Sequence, residues 1–246
     1  MPAKKVKTAF ASAATAASVL VELKALGSAK LRADMPVRYG IVTKNAFGVY
    51  MAEMQKIAKR LGHHHELALA LWRTGNYEAR TVAAFVAEPE RVTPALMDRW
   101  CRDFDNWAIC DSVCFKLFDR TAHAYAKVTE WSSRRAEFEK RAAFALLACL
   151  ALHDKRAGDE PFRQGLRLIE EASTDERNFV KKAVSWALRA IGRRNVALHK
   201  QSKSLAEKLA MSTNGTARWI GKDACRALVK TKFPTETKTK KYHELH

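Results

Sequence analysis

The sequence predicts an all-α protein built as a curved, solenoid-like stack of helical pairs. Three observations carry that prediction. Punctuation along the chain is that of helices, with Gly62 and Gly75 closing helical runs and Thr93-Pro94 opening another. Strict apolar–polar alternation between turn signals is almost absent. Trp107, Arg141 and Trp186 sit in helical segments of similar character, 34 and 45 positions apart, a spacing that suits stacked helical pairs. No consensus string recurs, so a compact helical bundle stays open at this point.

At the start, Lys4, Lys5 and Lys7 precede an Ala-rich run that faintly imitates a signal peptide. The run is diluted by Ser and Thr, and Val19, Leu20, Leu23 and Leu26 recur at helical spacing through Glu22 and Lys24, so this segment reads as a first amphipathic helix. Helices are then expected at 45–61, closed by Gly62, at 64–73, closed by Gly75, and at 78–86. Thr93-Pro94 opens a helix at 94–103, and 107–119 follows. The segment 134–153 contains the largely apolar string from Phe138 to Leu147. Asp159-Glu160-Pro161 opens 161–171, and Ser173-Thr174-Asp175-Glu176 has the form of a capping box ahead of 176–191. Helices at 197–211 and 216–230 complete a single domain over 1–230, and 231–246 reads as a basic, flexible tail without apolar period.

The chain has 246 residues, of which 48% are apolar, enough for a large core. The five cysteines, Cys101, Cys110, Cys114, Cys149 and Cys225, are an odd number set in apolar helical stretches, which fits reduced thiols and a cytoplasmic location. No stretch approaches the roughly 20 apolar residues of a membrane span. Forty-four Lys and Arg against twenty-six Asp and Glu give +18, a field that attracts polyanions. From Glu176 onward there are seventeen basic and five acidic residues, so +12 of that charge lies in the last 71 residues. Nucleic acid is the expected partner, and a basic protein with merely solvated charged faces is the alternative.

The chemistry-bearing residues begin with Trp107 and Asp111. On one helix Trp107, Asp111 and Cys114 fall at i, i+4 and i+7, so an indole and a carboxylate share a face. Such a pair can stabilise a developing positive charge and orient a water. The plainer alternative makes Trp107 core and has Asp111 cap a helix or pair with an arginine such as Arg120 or Arg141. Around Trp186, Lys182, Arg189 and Arg193 lie at i−4, i+3 and i+7, a basic stripe beside a ring. Arg218, Lys222, Arg226 and Lys230 repeat every four residues beside Trp219, which suits a phosphate backbone or a solvated face. Arg141 lies in an apolar helix and needs a carboxylate or phosphate partner. Metal binding is not expected. Consecutive His63, His64 and His65 point in different directions, and Cys110-x3-Cys114 has no second ligand pair. No Gly-rich phosphate loop, Gly-x-Ser-x-Gly elbow or helix-hairpin-helix signature occurs.

The strings Trp107-x-x-x-Asp111, Lys140-Arg141-Ala142-Ala143 and Lys181-Lys182-Ala183-Val184-Ser185-Trp186-Ala187-Leu188-Arg189, with Leu71-Trp72 and Glu78-x-Arg80 ahead of them, resemble the AlkD-like DNA alkylation repair family from about Tyr39 to Leu228. The resemblance implies a curved stack of HEAT-like repeats with a concave basic DNA surface. It implies a monofunctional glycosylase, acting in a bacterial cytoplasm on double-stranded DNA containing N3- or N7-alkylated purines, as a monomer, without metal or cofactor and without flipping the base. Carried over, Trp107 and Trp186 would pack on the backbone and sugar of the lesion nucleotide. Asp111 would position the water and stabilise the sugar cation, and Arg141 would hold the phosphate. The sequence departs from the family near Tyr50, where an active-site glutamine is expected. Three function classes follow: the glycosylase, a non-catalytic binder of damaged or branched DNA, and a helical scaffold for an acidic protein. The first two require Trp107, Asp111, Arg141 and Trp186 to converge on one concave face.

Overall fold

A computed structural model describes residues 14–233, so Lys4, Lys5, Lys7 and the tail beyond 233 lie outside the described residues. Thirteen α-helices and no strand occur among the described residues. They are α1 (Ala16–Ala25), α2 (Ala29–Arg38), α3 (Met51–Leu61), α4 (His65–Arg73), α5 (Tyr77–Val86), α6 (Pro94–Arg102), α7 (Trp107–Lys116), α8 (Ala124–Ser132), α9 (Glu137–His153), α10 (Glu160–Glu171), α11 (Asn178–Ile191), α12 (Val196–Ala210) and α13 (Gly215–Leu228). None is long and apolar enough to cross a membrane.

From α3 onward every second helix packs on the next, giving an inner row of α3, α5, α7, α9, α11 and α13. The helices between them back the row, with α4 on α5, α8 on α9 and α12 on α13. Side-chain bonds step down neighbouring inner helices in the same direction: Asp111 to Arg141, Cys114 to the carbonyl of Ala142, and Asp119 to His153. The inner helices are therefore parallel. Met51 and Gln55 of α3, Phe85 of α5, Asp111 of α7 and Trp186 of α11 line one cavity, so the row curves round on itself.

Local chemistry sets the helix starts. Asn76, Asn106, Asn195 and Asn214 each turn a side-chain oxygen onto the free N–H groups of a first turn. The centre of the stack is α9, buried without interruption from Arg141 to Ala151, as a helix covered on every side must be. The outer helices α4 and α6 are joined by Trp72 stacked on Trp100 at 3.9 Å. The Trp72 indole N–H donates to Asp103 at 2.7 Å, and Arg80 donates to the carbonyls of Trp72 and Asp103.

The structure corrects the expected elements at several points. Two helices were absent from the sequence reading. Helix α2 carries Pro36 and buries only Met35, and α8 places Lys127 in its buried stripe, where its ammonium reaches Asp98 and Glu130 at 2.6 Å. Helix α7 stops at Lys116 and a 3-10 turn, Phe118–Arg120, follows. The Ser173–Glu176 string does not cap α11, which starts at Asn178. Asp175 instead binds Arg177 and Lys140, and the Arg177 guanidinium first among them holds its carboxyl down to about 2.

The largest difference is at 45–50, extended rather than helical. The fully buried Glu78 carboxylate accepts from the backbone N–H groups of Phe47, Gly48 and Val49 at 3.0, 2.7 and 3.2 Å. Gly48 has φ +80°, and a Cβ there would meet the carbonyl of Ser28 at 2.4 Å, so only glycine fits. Glu78→Ala strips three donors of their acceptor. At about 1–3 kcal/mol per unsatisfied buried group, we expect a loss of at least 3 kcal/mol, read as a lower urea midpoint at unchanged slope.

Candidate nucleic-acid interface

The side chains that the sequence singled out meet where α7, α9 and α11 lie side by side. Asn106 caps α7, accepting from Ala108 and Ile109 N–H, and so starts the helix one residue before Trp107, placing Trp107 and Asp111 one turn apart on one face. Cys114, expected on that face, is buried, and its thiol donates to the Ala142 carbonyl. Asp111 keeps 21% of its side chain exposed, while Arg141 keeps 6%.

The pair is a fork. Arg141 Nε donates to Asp111 Oδ1 at 2.9 Å and Nη2 to Oδ2 at 2.7 Å, while Nη1 donates to the Phe179 carbonyl at 2.7 Å. Of the two arginines considered as partners, Arg141 is the one in place. With all three of its nitrogens engaged inside the protein, its evident work is to hold Asp111 and tie α7, α9 and α11 together. Burial pushes the Asp111 carboxyl above its usual range, against the pull of the Arg141 charge.

Asp111 borders three cavities. The largest, about 450 Å³, is walled by Trp107, Arg141, Phe179 and Lys182 and, on the far side, by Arg38, Tyr39 and Gly40 at the end of α2. Trp107 is pinned there by its indole N–H, which donates to the Tyr39 carbonyl at 2.9 Å. The second, about 310 Å³, is apolar and runs under Trp107 between Met54, Tyr77 and Tyr50; burial pushes the Tyr77 phenol up to about 12. Tyr50 stands 59% exposed at its lip. The third, about 210 Å³, brings Trp186 to Asp111. Trp107, Asp111, Arg141 and Trp186, eighty residues apart at the extremes, thus border one continuous concave face.

The basic residues divide. Lys182 borders the largest cavity, and Lys182, Arg193 and Lys222 are exposed and form no ion pair among the described residues. Arg189 donates to the Ser185 carbonyl and lies 3.5 Å from Asp223, which Arg226 also approaches at 3.3 Å. Arg218 donates to the carbonyls of Ser212 and Thr213. Lys181 sits over the Trp219 ring at 5.3 Å. Arg189, Arg218 and Arg226 are therefore partly occupied by the protein itself. The three histidines diverge: His64 caps α4 through Nδ1, His65 is buried and His63 is exposed. The wall from α2 escaped the sequence reading, and the only signal for it was an indole N–H in need of an acceptor.

The fold is similar to that of a protein from a family described as related to the HEAT-like repeat DNA glycosylases with affinity for branched DNA structures. The two agree with a TM-score of 0.73 at 21% identity, over 89% of this chain and 97% of the other. No curated protein matches the sequence. The family described as DNA alkylation repair enzyme matches residues 19–228, nearly the whole of the helical stack, and the chain belongs to that family.

Proposed function

We propose that the protein is a monofunctional DNA glycosylase that releases N3- or N7-alkylated purines from duplex DNA. One observation carries the reading: a single carboxylate, Asp111, is fixed by a buried bidentate arginine and presented to a concave basic face between two tryptophans. An alkylated purine already bears positive charge. When the bond from the sugar C1′ to the purine nitrogen breaks, the electron pair leaves with the base and neutralises it, so no general acid is needed. The barrier lies in the electron-poor sugar. A negative charge held in place beforehand, flanked by ring faces, stabilises that cation. Water then adds to C1′ and loses a proton, for which Asp111 is the acceptor at hand. Arg141 acts through Asp111, fixing its direction and preserving its charge against burial.

The alternative is a non-catalytic binder of branched DNA, favoured by Tyr50 at the lip of the cavity beside Asp111 and by the binding ascribed to the fold relative. Quantifying free 7-methylguanine after incubation with methylated duplex separates the two. Tight binding without release selects the alternative.

Asp111→Asn keeps the shape and removes the charge. Single-turnover release of 7-methylguanine is expected to fall about 10²–10³-fold, the usual cost of one preorganised electrostatic group, while DNA affinity holds or rises. Equal release by both proteins removes Asp111 from the chemistry.

The direction of the Asp111 shift sets the pH profile. The active form is the carboxylate, so release falls as pH drops through the raised Asp111 pKa, and the acid limb lies above that of an ordinary carboxylate. Arg141→Met removes the opposing charge and leaves the burial, so the limb moves higher still.

Salt dependence tests the basic face. Log affinity for duplex falls with log salt at about −0.9 per phosphate contact, and each of Lys182→Ala, Arg193→Ala and Lys222→Ala is expected to lower the slope by about one unit. A flat dependence argues for a protein partner.

A further inference from the structure

Phe115, one turn beyond Asp111 on α7, belongs to two cavities. One is the space that holds Trp186. The other, about 410 Å³, is formed with Asp119, Arg120, His153 and Asp154 at the far ends of α7 and α9. This second space plays no part in the chemistry at Asp111, yet it is built. The Asp119 side chain is fully buried: one oxygen holds His153 Nδ1, and the other makes no hydrogen bond within the protein. The His153 ring stands edge-on to Phe115 with centroids 4.3 Å apart, and the side chain is 37% exposed. With Nδ1 committed to Asp119, Nε2 is the nitrogen left free.

The charges around the ring come from every neighbouring element. From α7 comes Lys116, whose ammonium lies over Phe115 at 4.8 Å. The 3-10 turn supplies Asp119 and Arg120; Arg120 is exposed and forms no ion pair among the described residues. Asp154, after α9, is already bound by the Tyr125 hydroxyl of α8 and by the backbone N–H groups of Arg156 and Ala157. Arg194, after α11, is turned onto the carbonyls of Leu150, Ala151 and Ala157. Lys116, Arg120 and His153 are thus the cations left free to meet a ligand.

We propose that Lys116, Arg120 and His153 form a second phosphate site for DNA lying in the groove, and that the His153 contact requires the imidazolium. A neutral ring donating from Nδ1 to Asp119 points a lone pair from Nε2 at a phosphate oxygen. A protonated ring donates from both nitrogens, one to Asp119 and one to the phosphate. Asp119 lies eight residues beyond Asp111, about 12 Å at helical rise, which corresponds to three or four base-pair steps from the nucleotide at Asp111. The proposal rests on the DNA reading above and adds a proton to it.

The test is duplex affinity of the full chain, measured against salt at about pH 6 and about pH 8.5, either side of imidazole titration. For the wild type the log–log slope is expected to be steeper by about one at the lower pH. His153→Gln should give the shallower slope at both. Arg120→Gln should lose about one unit at both and keep the difference between them. Asp119→Asn should keep the difference and shift its midpoint to lower pH. His153→Gln, on the surface, serves where Asp119→Asn fails to fold, and its melting temperature is recorded beside its slope. A purely structural histidine would change the melting temperature and leave the slopes alone. A wild-type slope equal at both pH values, or a pH difference that persists in His153→Gln, overturns the second site. Absence of any salt-dependent affinity overturns the DNA reading itself.

Discussion

The ion pair between Asp111 and Arg141 is the constraint on which the site depends. Arg141 emerges from the most buried helix of the protein, and its guanidinium reaches α7 through Asp111 and α11 through the Phe179 carbonyl. A buried guanidinium without those acceptors would cost several kcal/mol, so the three helices are held in one register wherever the pair is intact. The same contact fixes both carboxylate oxygens. An acid that serves catalysis by its charge must resist protonation in a half-dry cleft, and here the arginine supplies that resistance while the cleft supplies the low dielectric that makes the charge effective.

A second buried acid acts on backbone. Glu78 binds three successive N–H groups and pulls residues 47–49 straight, which carries Tyr50 to the lip of the apolar cavity and seats α3 across the groove. At Gly48 the strand passes so close to Ser28 that no side chain is tolerated. That close approach brings the start of α2 against the strand, and the end of α2 supplies the carbonyl that anchors Trp107. Position at the site is thus inherited from two acids on α5 and α7, each satisfied by a different kind of donor.

Much of this was legible in the sequence because the cues were local. Gly62, Gly75 and Thr93-Pro94 mark helix ends by chemistry that acts within one turn. Trp107 and Asp111 share a face because they are four residues apart. What escaped is what long-range contacts decide. Helix α2, with Pro36 and a single buried residue, has no apolar stripe to read, and α8 hides its stripe behind Lys127, neutralised by Asp98 from 29 residues away. Residues 45–50 look helical until Glu78 claims their N–H groups. Arg189 and Arg226 read as free cations because Asp223, which both approach, lies 34 residues from the first. Arg141 was assigned to a phosphate or a carboxylate with equal reason, since helix periodicity does not say which group stands 30 residues away.

The parallel run of the inner helices has a consequence for the field in the groove. Each α-helix carries partial positive charge at its first turn and partial negative charge at its last. Six parallel helices side by side therefore give the groove one rim that welcomes anions through backbone alone and an opposite rim that repels them. On the second rim the chain places Lys116 and Arg120 after α7, His153 at the end of α9 and Arg193 after α11. Those side chains offset the field of the helix ends, so a polyanion can lie across the full width of the face.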